Sequence, residues 1–222
     1  MKSHQKGFTL VEIAIVLVII GLLMGGVLKG QELINSAKVK NFANDFRNIP
    51  VFVYAYQDKF RALPGDDKNV AGHLGTIGTQ AATIASTQTI GNGVIEGNYN
   101  SVTTSNESFL FWQHIRLANL AAGPTNTGDA NYAPTNADGG RIGVQGGTAP
   151  ITGLTGTYFV CSEGILGKFA KQLDQTLDDG DTAAGSVRVA IGPYSSTALT
   201  AAPLTGTGAV VDAQTYIVCM GF

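Results

Sequence analysis

Residues Phe8–Leu28 form an almost unbroken apolar run, and no other feature limits so strongly what this chain can fold into. At about 1.5 Å per helical residue the run spans roughly 31 Å, the thickness of a bilayer's hydrocarbon core. Ahead of it stands a short polar head, Met1–Gly7, with Lys2 and Lys6. Such a positive flank keeps the N-terminus in the cytoplasm and sends the C-terminal body outward. A secretory signal has an apolar centre of about 7 to 15 residues closed by small residues of A-x-A type. This run is longer and closes on Gly25-Gly26-Val27-Leu28-Lys29-Gly30, which offers no such cleavage box. Inside it sits Glu12, an acid whose insertion at mid-membrane costs about 2.5–3.5 kcal/mol and therefore asks for a partner.

The junction Lys6-Gly7-Phe8-Thr9-Leu10-Val11-Glu12, within KGFTLVEIAIVLVIIGLL, resembles the type IV pilin and type II secretion pseudopilin superfamily. That signature is a short basic leader ending in Gly, a Phe, and a Glu as the fifth residue of the processed chain, all ahead of a hydrophobic helix. The resemblance implies cleavage between Gly7 and Phe8 by a prepilin peptidase, and N-methylation of Phe8. Loss of Lys2 and Lys6 with the leader then takes the net side-chain charge from −2 to −4. It also implies that Glu12 is answered by the α-amino group of Phe8 on a neighbouring subunit, an amine of reference pKa about 7.7–8.0. A misregistered subunit would leave one charge buried alone, so the pair would set axial register. Many type IV pilins carry a proline late in this segment. Here Gly21/Gly25 and Gly26/Gly30 occupy the region, a spacing that lets helices approach closely in lipid, although glycine is also simply common in membrane helices.

Beyond Lys29 the pattern changes period. Phe42, Phe46, Ile49, Val53, Tyr56, Phe60 and Leu63 recur at steps of 4, 3, 4, 3, 4 and 3, one face of an α-helix. One long helix is therefore expected to about Arg61, with a kink below Pro50 and an end at the turn signal Leu63-Pro64-Gly65-Asp66. The string YQDKFRALPGD also resembles a segment found in a subset of prepilin-like proteins.

The remainder reads as an α+β, pilin-like head with a mainly antiparallel sheet. From Asn69 to Asn106 the only Asp, Glu, Lys or Arg is Glu96, and the stretch is expected as a long loop. Asn106–Leu120 is expected as a helix capped by Asn106 or Ser105, with Phe109, Trp112 and Ile115 inward. Gly123–Gly156 reads as a second loop. Thr157–Cys161, Ser186–Ile191 and Gln214–Cys219 read as strands, Lys168–Leu177 as a short helix and Asp178–Asp181 as a turn. The chain divides into a leader (1–7), an apolar membrane and filament-core helix (8–28), an amphipathic extension (29–63) and a head (64–222).

Cys161 and Cys219 both fall at expected strand ends in the exported part, where an oxidising compartment favours a disulfide over two buried thiols. Closing their 58-residue separation would contribute roughly 4 kcal/mol. Asp178, Asp179 and Asp181 form the densest acidic cluster and are calcium candidates, since Ca²⁺ prefers several oxygens around a turn; Asp and Gly are also default turn residues. No other cofactor is called for. His4, His73 and His114 are scattered, and no HExxH, CxxC, G-x-S-x-G or P-loop pattern occurs, so no enzyme chemistry is expected. With 14 basic and 16 acidic residues the chain has no field for a phosphate backbone, and no specific nucleic acid is expected.

The expected function is that of a structural subunit in a homo-oligomeric helical filament. It would be drawn from inner-membrane lipid by an assembly machinery with an ATPase, and end in an extracellular pilus or a periplasmic pseudopilus. The two polar Gly/Thr-rich stretches favour the pilus. The reading from another class is a monomeric signal-anchored binding protein or enzyme that merely retains a prepilin-type leader.

Overall fold

The computed structural model describes residues 9–77 and 80–222. The chain divides between Lys38 and Val39 into two compact units. Helix α1 (Leu10–Phe60) is continuous in sequence across that division and runs through Pro50 without a break.

In the first unit the helical residues bury almost nothing. Leu10, Leu17, Leu22, Leu23, Met24 and Leu28 are all exposed, as are the Val and Ile residues between them. In the second unit α1 is amphipathic, and its Val39, Phe42, Phe46, Ile49, Val53 and Tyr56 face is buried. Each fully buried aromatic or aliphatic side chain there contributes about 1.5–3 kcal/mol. Phe60 and Leu63, the last members of the stripe, are half-buried. Beyond Phe60 the chain leaves the helix through Arg61, whose φ of 54° lies in the left-handed region that commonly closes helices.

The sheet of the head is antiparallel throughout. Strands β3 (Ile142–Gly146), β4 (Tyr158–Leu166), β5 (Val187–Ala190) and β6 (Thr215–Gly221) lie in the order β3-β4-β6-β5. A separate two-residue pair, β1 (Thr76–Ile77) and β2 (Gln80–Ala81), stands apart. Side chains alternate between two faces, as the period of two requires. Val144, Val160, Val187, Val189, Tyr216 and Val218 join one core with the α1 stripe, and helices α3 (Glu107–Leu117) and α4 (Gly167–Leu177) complete it. Phe159, Cys161, Ala190, Ile217 and Cys219 form a second core on the other face, covered by Tyr99, Ile151, Leu154 and Tyr194 from loops. Both outer edges are closed. Gly146 N–H donates to the Ile95 carbonyl beside β3, and beside β5 Val189 N–H donates to the Thr182 carbonyl. An open edge would be a template for unwanted strand pairing.

Three expectations need correction. Gly123–Gly156 is not all loop, since β3 lies within it. The Asn69–Asn106 stretch holds helix α2 (Val70–Leu74) and the β1–β2 pair. Asn106 precedes α3 without capping it through its side chain. Its amide instead donates to Ser101 Oγ and its oxygen accepts from Thr87, while Gln88 and the Glu96 carbonyl take the N–H groups of Glu107 and Ser108. The strand expected at Gln214–Cys219 is present as β6, which pairs with both β4 and β5 in the middle of the sheet.

Candidate functional site

The first candidate site is the start of α1. Gly7 and Phe8, the residues expected to be cut and methylated, lie outside the described residues. Glu12 is described, and Thr9 partners it in a way the sequence reading overlooked. Thr9 N–H and hydroxyl both donate to the Glu12 carboxylate, at 2.8 and 2.7 Å, while Glu12 N–H donates back to the Thr9 hydroxyl at 3.3 Å. This is a capping box, the reciprocal satisfaction of helix-start donors that T-x-x-E favours. It starts the helix at Leu10 and holds the Glu12 carboxylate on its own N-terminus, where the helix dipole favours a negative charge.

The glycines of this unit have no internal reason to be small. A Cβ added at Gly21, Gly25, Gly26 or Gly30 would meet nothing within 4 Å. The apolar face and its gaps are thus shaped for something other than this chain's own packing.

The second candidate site is the turn after α1, where the LPGDD string proves to be a structural hub. Gly65 (φ 95°) passes so close to α3 that a Cβ would lie 2.5 Å from the Glu107 carbonyl oxygen, and its N–H donates to His114 Nδ1 at 2.9 Å. The other ring nitrogen, Nε2, faces the Thr83 carbonyl at 2.8 Å, which assigns the proton to Nε2. Complete burial pushes the His114 pKa down to about 4. Asp66 accepts N–H bonds from Gly91, Asn92 and Gly93. Asp67 accepts from the Tyr56 hydroxyl at 2.8 Å and Asn69 N–H at 2.9 Å, and it faces His73 Nδ1 at 2.7 Å. Glu107 accepts Glu96 N–H at 2.7 Å through one oxygen, leaving the other buried and unpaired. Burial pushes its pKa up to about 7, with the charges of Asp66 and Glu96 adding to the shift and the Glu96 N–H opposing it. Asp66 and Glu107 thus hold the 91–96 backbone through its N–H groups, while Ile95 and Tyr99 anchor the same stretch in the two cores.

Cys161 and Cys219 are disulfide-bonded and stand directly opposite each other on β4 and β6, fully buried on the sheet face away from α1. At the acidic turn, Asp178 accepts from Ser186 and Val187 N–H, Asp179 from Asp181 N–H, and Asp181 from Ala183 N–H. Each carboxylate is engaged in shaping its own loop. Asp174 lies buried behind them with neither oxygen in a well-formed hydrogen bond. Burial, then the charges of Asp178, Asp179 and Asp181, push its pKa up to about 7. Among the described residues no three His, Cys, Asp or Glu side chains converge as a metal site.

Residues 2–28 match the family described as the prokaryotic N-terminal methylation motif, the signature of type IV pilins and pseudopilins. Proteins with this motif are structural rather than enzymatic, are processed by prepilin peptidase and assemble into filaments. The motif and the long apolar helix, the one such helix among the described residues, fit a membrane-anchored pilin. No curated protein and no solved structure matches the chain.

Proposed function

We propose that this chain is the structural subunit of a type IV pilus or a related filament, cut between Gly7 and Phe8, N-methylated at Phe8 and polymerised through α1. The observation that carries this reading is the coincidence, at residues 2–28, of the methylation motif with a helix whose apolar side chains nothing in its own chain buries. Lipid covers that surface before assembly, and neighbouring copies cover it afterwards. Removing an exposed apolar face from lipid into a protein bundle gains little hydrophobic energy, so packing and polar pairing must drive association. Glu12 supplies the polar part. In the free subunit its carboxylate is held by Thr9, and in the filament it pairs with the Phe8 amine of a neighbour. The head stands in the periplasm before assembly, and an ATP-driven inner-membrane machinery extracts the subunit. The pseudopilus shares the motif and is the second reading. The head's extra polar stretches, 69–106 and 123–156, favour a pilus.

The test is Glu12→Ala in the full-length chain, read by electron microscopy of sheared filaments and by mass spectrometry of the N-terminus. The expected result is a methylated Phe8 terminus in the native chain, an unchanged head melting temperature in the variant, and filaments lost or strongly reduced. Normal filaments from the variant would sink the role of Glu12, and an unprocessed native N-terminus would sink the filament reading.

A further inference from the structure

Besides single exposed charges such as Lys40, Arg47, Asp129 and Asp212, the head carries two exposed clusters of opposite sign. At the end of α1, Lys59, Arg61 and Lys68 are exposed, with Asp58 offsetting part of their charge 3.9 Å from Arg61. At the turn after α4, Asp179 and Asp181 are exposed beside the half-buried Asp178, above the buried Asp174. The Arg47 guanidinium reaches the Thr176 carbonyl, which fixes the level of that turn along α1. Arg61 follows Arg47 by 14 positions, and at about 1.5 Å per helical residue the two clusters stand roughly 20 Å apart along the helix axis.

The basic end opens onto a groove. One part, of about 530 Å³, is lined by Gln57, Arg61, Leu63, Asp66 and Lys68, the Asp66 carboxylate being taken up by the N–H groups of Gly91, Asn92 and Gly93. It continues through Gln57, Leu63 and Gly93 into a second cleft of about 270 Å³ floored by Tyr54 and Tyr158. Tyr158 is 6% exposed. Its hydroxyl has no well-formed hydrogen bond within the chain, although Tyr54 stands close enough to contribute to raising its pKa. A buried hydroxyl short of a partner is relieved by an acceptor from outside. Beside the cleft, Val51 and Tyr54 are 58% and 59% exposed on one face of α1. An apolar and tyrosine-lined floor with an arginine at the rim is the composition of a protein interface. On a chain with only 14% charged residues, few other surfaces offer complementary charge.

We infer that this groove receives the acidic turn Asp178–Asp181 of a second copy of the chain, displaced along α1 so that Asp179 and Asp181 meet Arg61 and Lys68. This contact rests on the filament reading and deepens it: α1 packing holds the core together, and the head contact selects which displacement between copies is allowed. Opposite charges across such an interface fix register, and like charges placed there reject it.

The test uses the processed full-length chain in sheared filaments. Arg61→Glu with Lys68→Glu, and separately Asp179→Lys with Asp181→Lys, are each expected to cut filament yield about tenfold while leaving the head's melting temperature unchanged, and all four together to restore it within about threefold. Among the described residues no cysteine is free. Arg61→Cys combined with Asp179→Cys should therefore give a ladder of covalent multimers on oxidation, while neither substitution alone does. Wild-type yield from either one-sided reversal, a fourfold variant no better than its parents, or no ladder overturns the contact. In each case the unaltered chain still forms filaments, which separates this failure from that of the filament reading. If the unaltered, processed chain forms none, both fall together.

Discussion

Glu107 shows how a single residue can make the head sensitive to pH. It is fully buried at the start of α3, with one oxygen on Glu96 N–H and the other unpaired. Its folded pKa of about 7 lies above the ordinary 4.5, so the folded state keeps a proton that the unfolded chain gives up. The stabilisation is complete below about pH 4.5 and is lost as pH rises through about 7. Asp174 acts in the same direction, with a folded pKa of about 7 against 3.8. His114 acts in the opposite one. Its folded pKa of about 4 lies below 6.5, so its contribution is present above pH 6.5 and is lost as pH falls through about 4. With Asp45, whose pKa burial pushes up from 3.8 to about 6, three carboxyls against one imidazole tilt the balance toward greater stability in mild acid. Glu107→Gln should therefore stabilise the head at pH 8 by on the order of 2–3 kcal/mol and change little at pH 4.5. Urea unfolding at the two pH values measures this, and an equal effect at both would refute the assignment.

At the scale of elements, the glycines of α1 make the sharpest prediction. A Cβ added at Gly25 would meet nothing in its own chain, and every larger residue except proline is the better helix former, by up to about 1 kcal/mol. Gly25→Leu should then leave insertion and processing at native levels, yet keep neighbouring helices apart and cut sheared-filament yield about tenfold. Native yield from that variant would mean that the glycines only reflect membrane composition. What the sequence made legible follows the same physics. The distal half of α1 could be read because its buried side chains recur at helical steps against a polar face. Strand β3 could not, because in IGVQG glycine stands where a side chain would otherwise mark the period. At Gly143 the reason is an approaching backbone: a Cβ there would sit 1.9 Å from the Tyr99 carbonyl oxygen. Helix α3 is buried on every side, so its three expected inward residues understate its burial. Of the candidate sites, Glu12 stood out as an acid among apolar residues, and its T-x-x-E cap was written beside it without being read. The hub at Asp66 and Asp67 was hidden for another reason. Asp66 holds N–H groups about 25 residues further on, and no local pattern announces a partner so far along the chain.

For the molecule as a whole, the placement of β6 governs how the head is held together. The last strand is not added at an edge. It lies between β4 and β5, so neither sheet face closes until β6 is in place, and placing β6 closes the 58-residue loop between Cys161 and Cys219. The disulfide removes that loop's freedom from the unfolded state, a stabilisation of roughly 4 kcal/mol, against a typical domain stability of about 5–15 kcal/mol. Cys161→Ser with Cys219→Ser should therefore lower the head's melting temperature by roughly 8–16 °C. The bond lies in the core that faces away from α1, while the α1 stripe and its partners lie in the other. Well below its lowered melting temperature, the double variant should thus keep α1 packing intact and still assemble, whereas Glu12→Ala should lose or strongly reduce assembly at both temperatures with a fully stable head. Head melting followed by circular dichroism, paired with filament yield at two temperatures, separates the two defects. A double variant that melts like the native head, or that fails to assemble even in the cold, would show that the disulfide does something other than hold the last strand in the sheet.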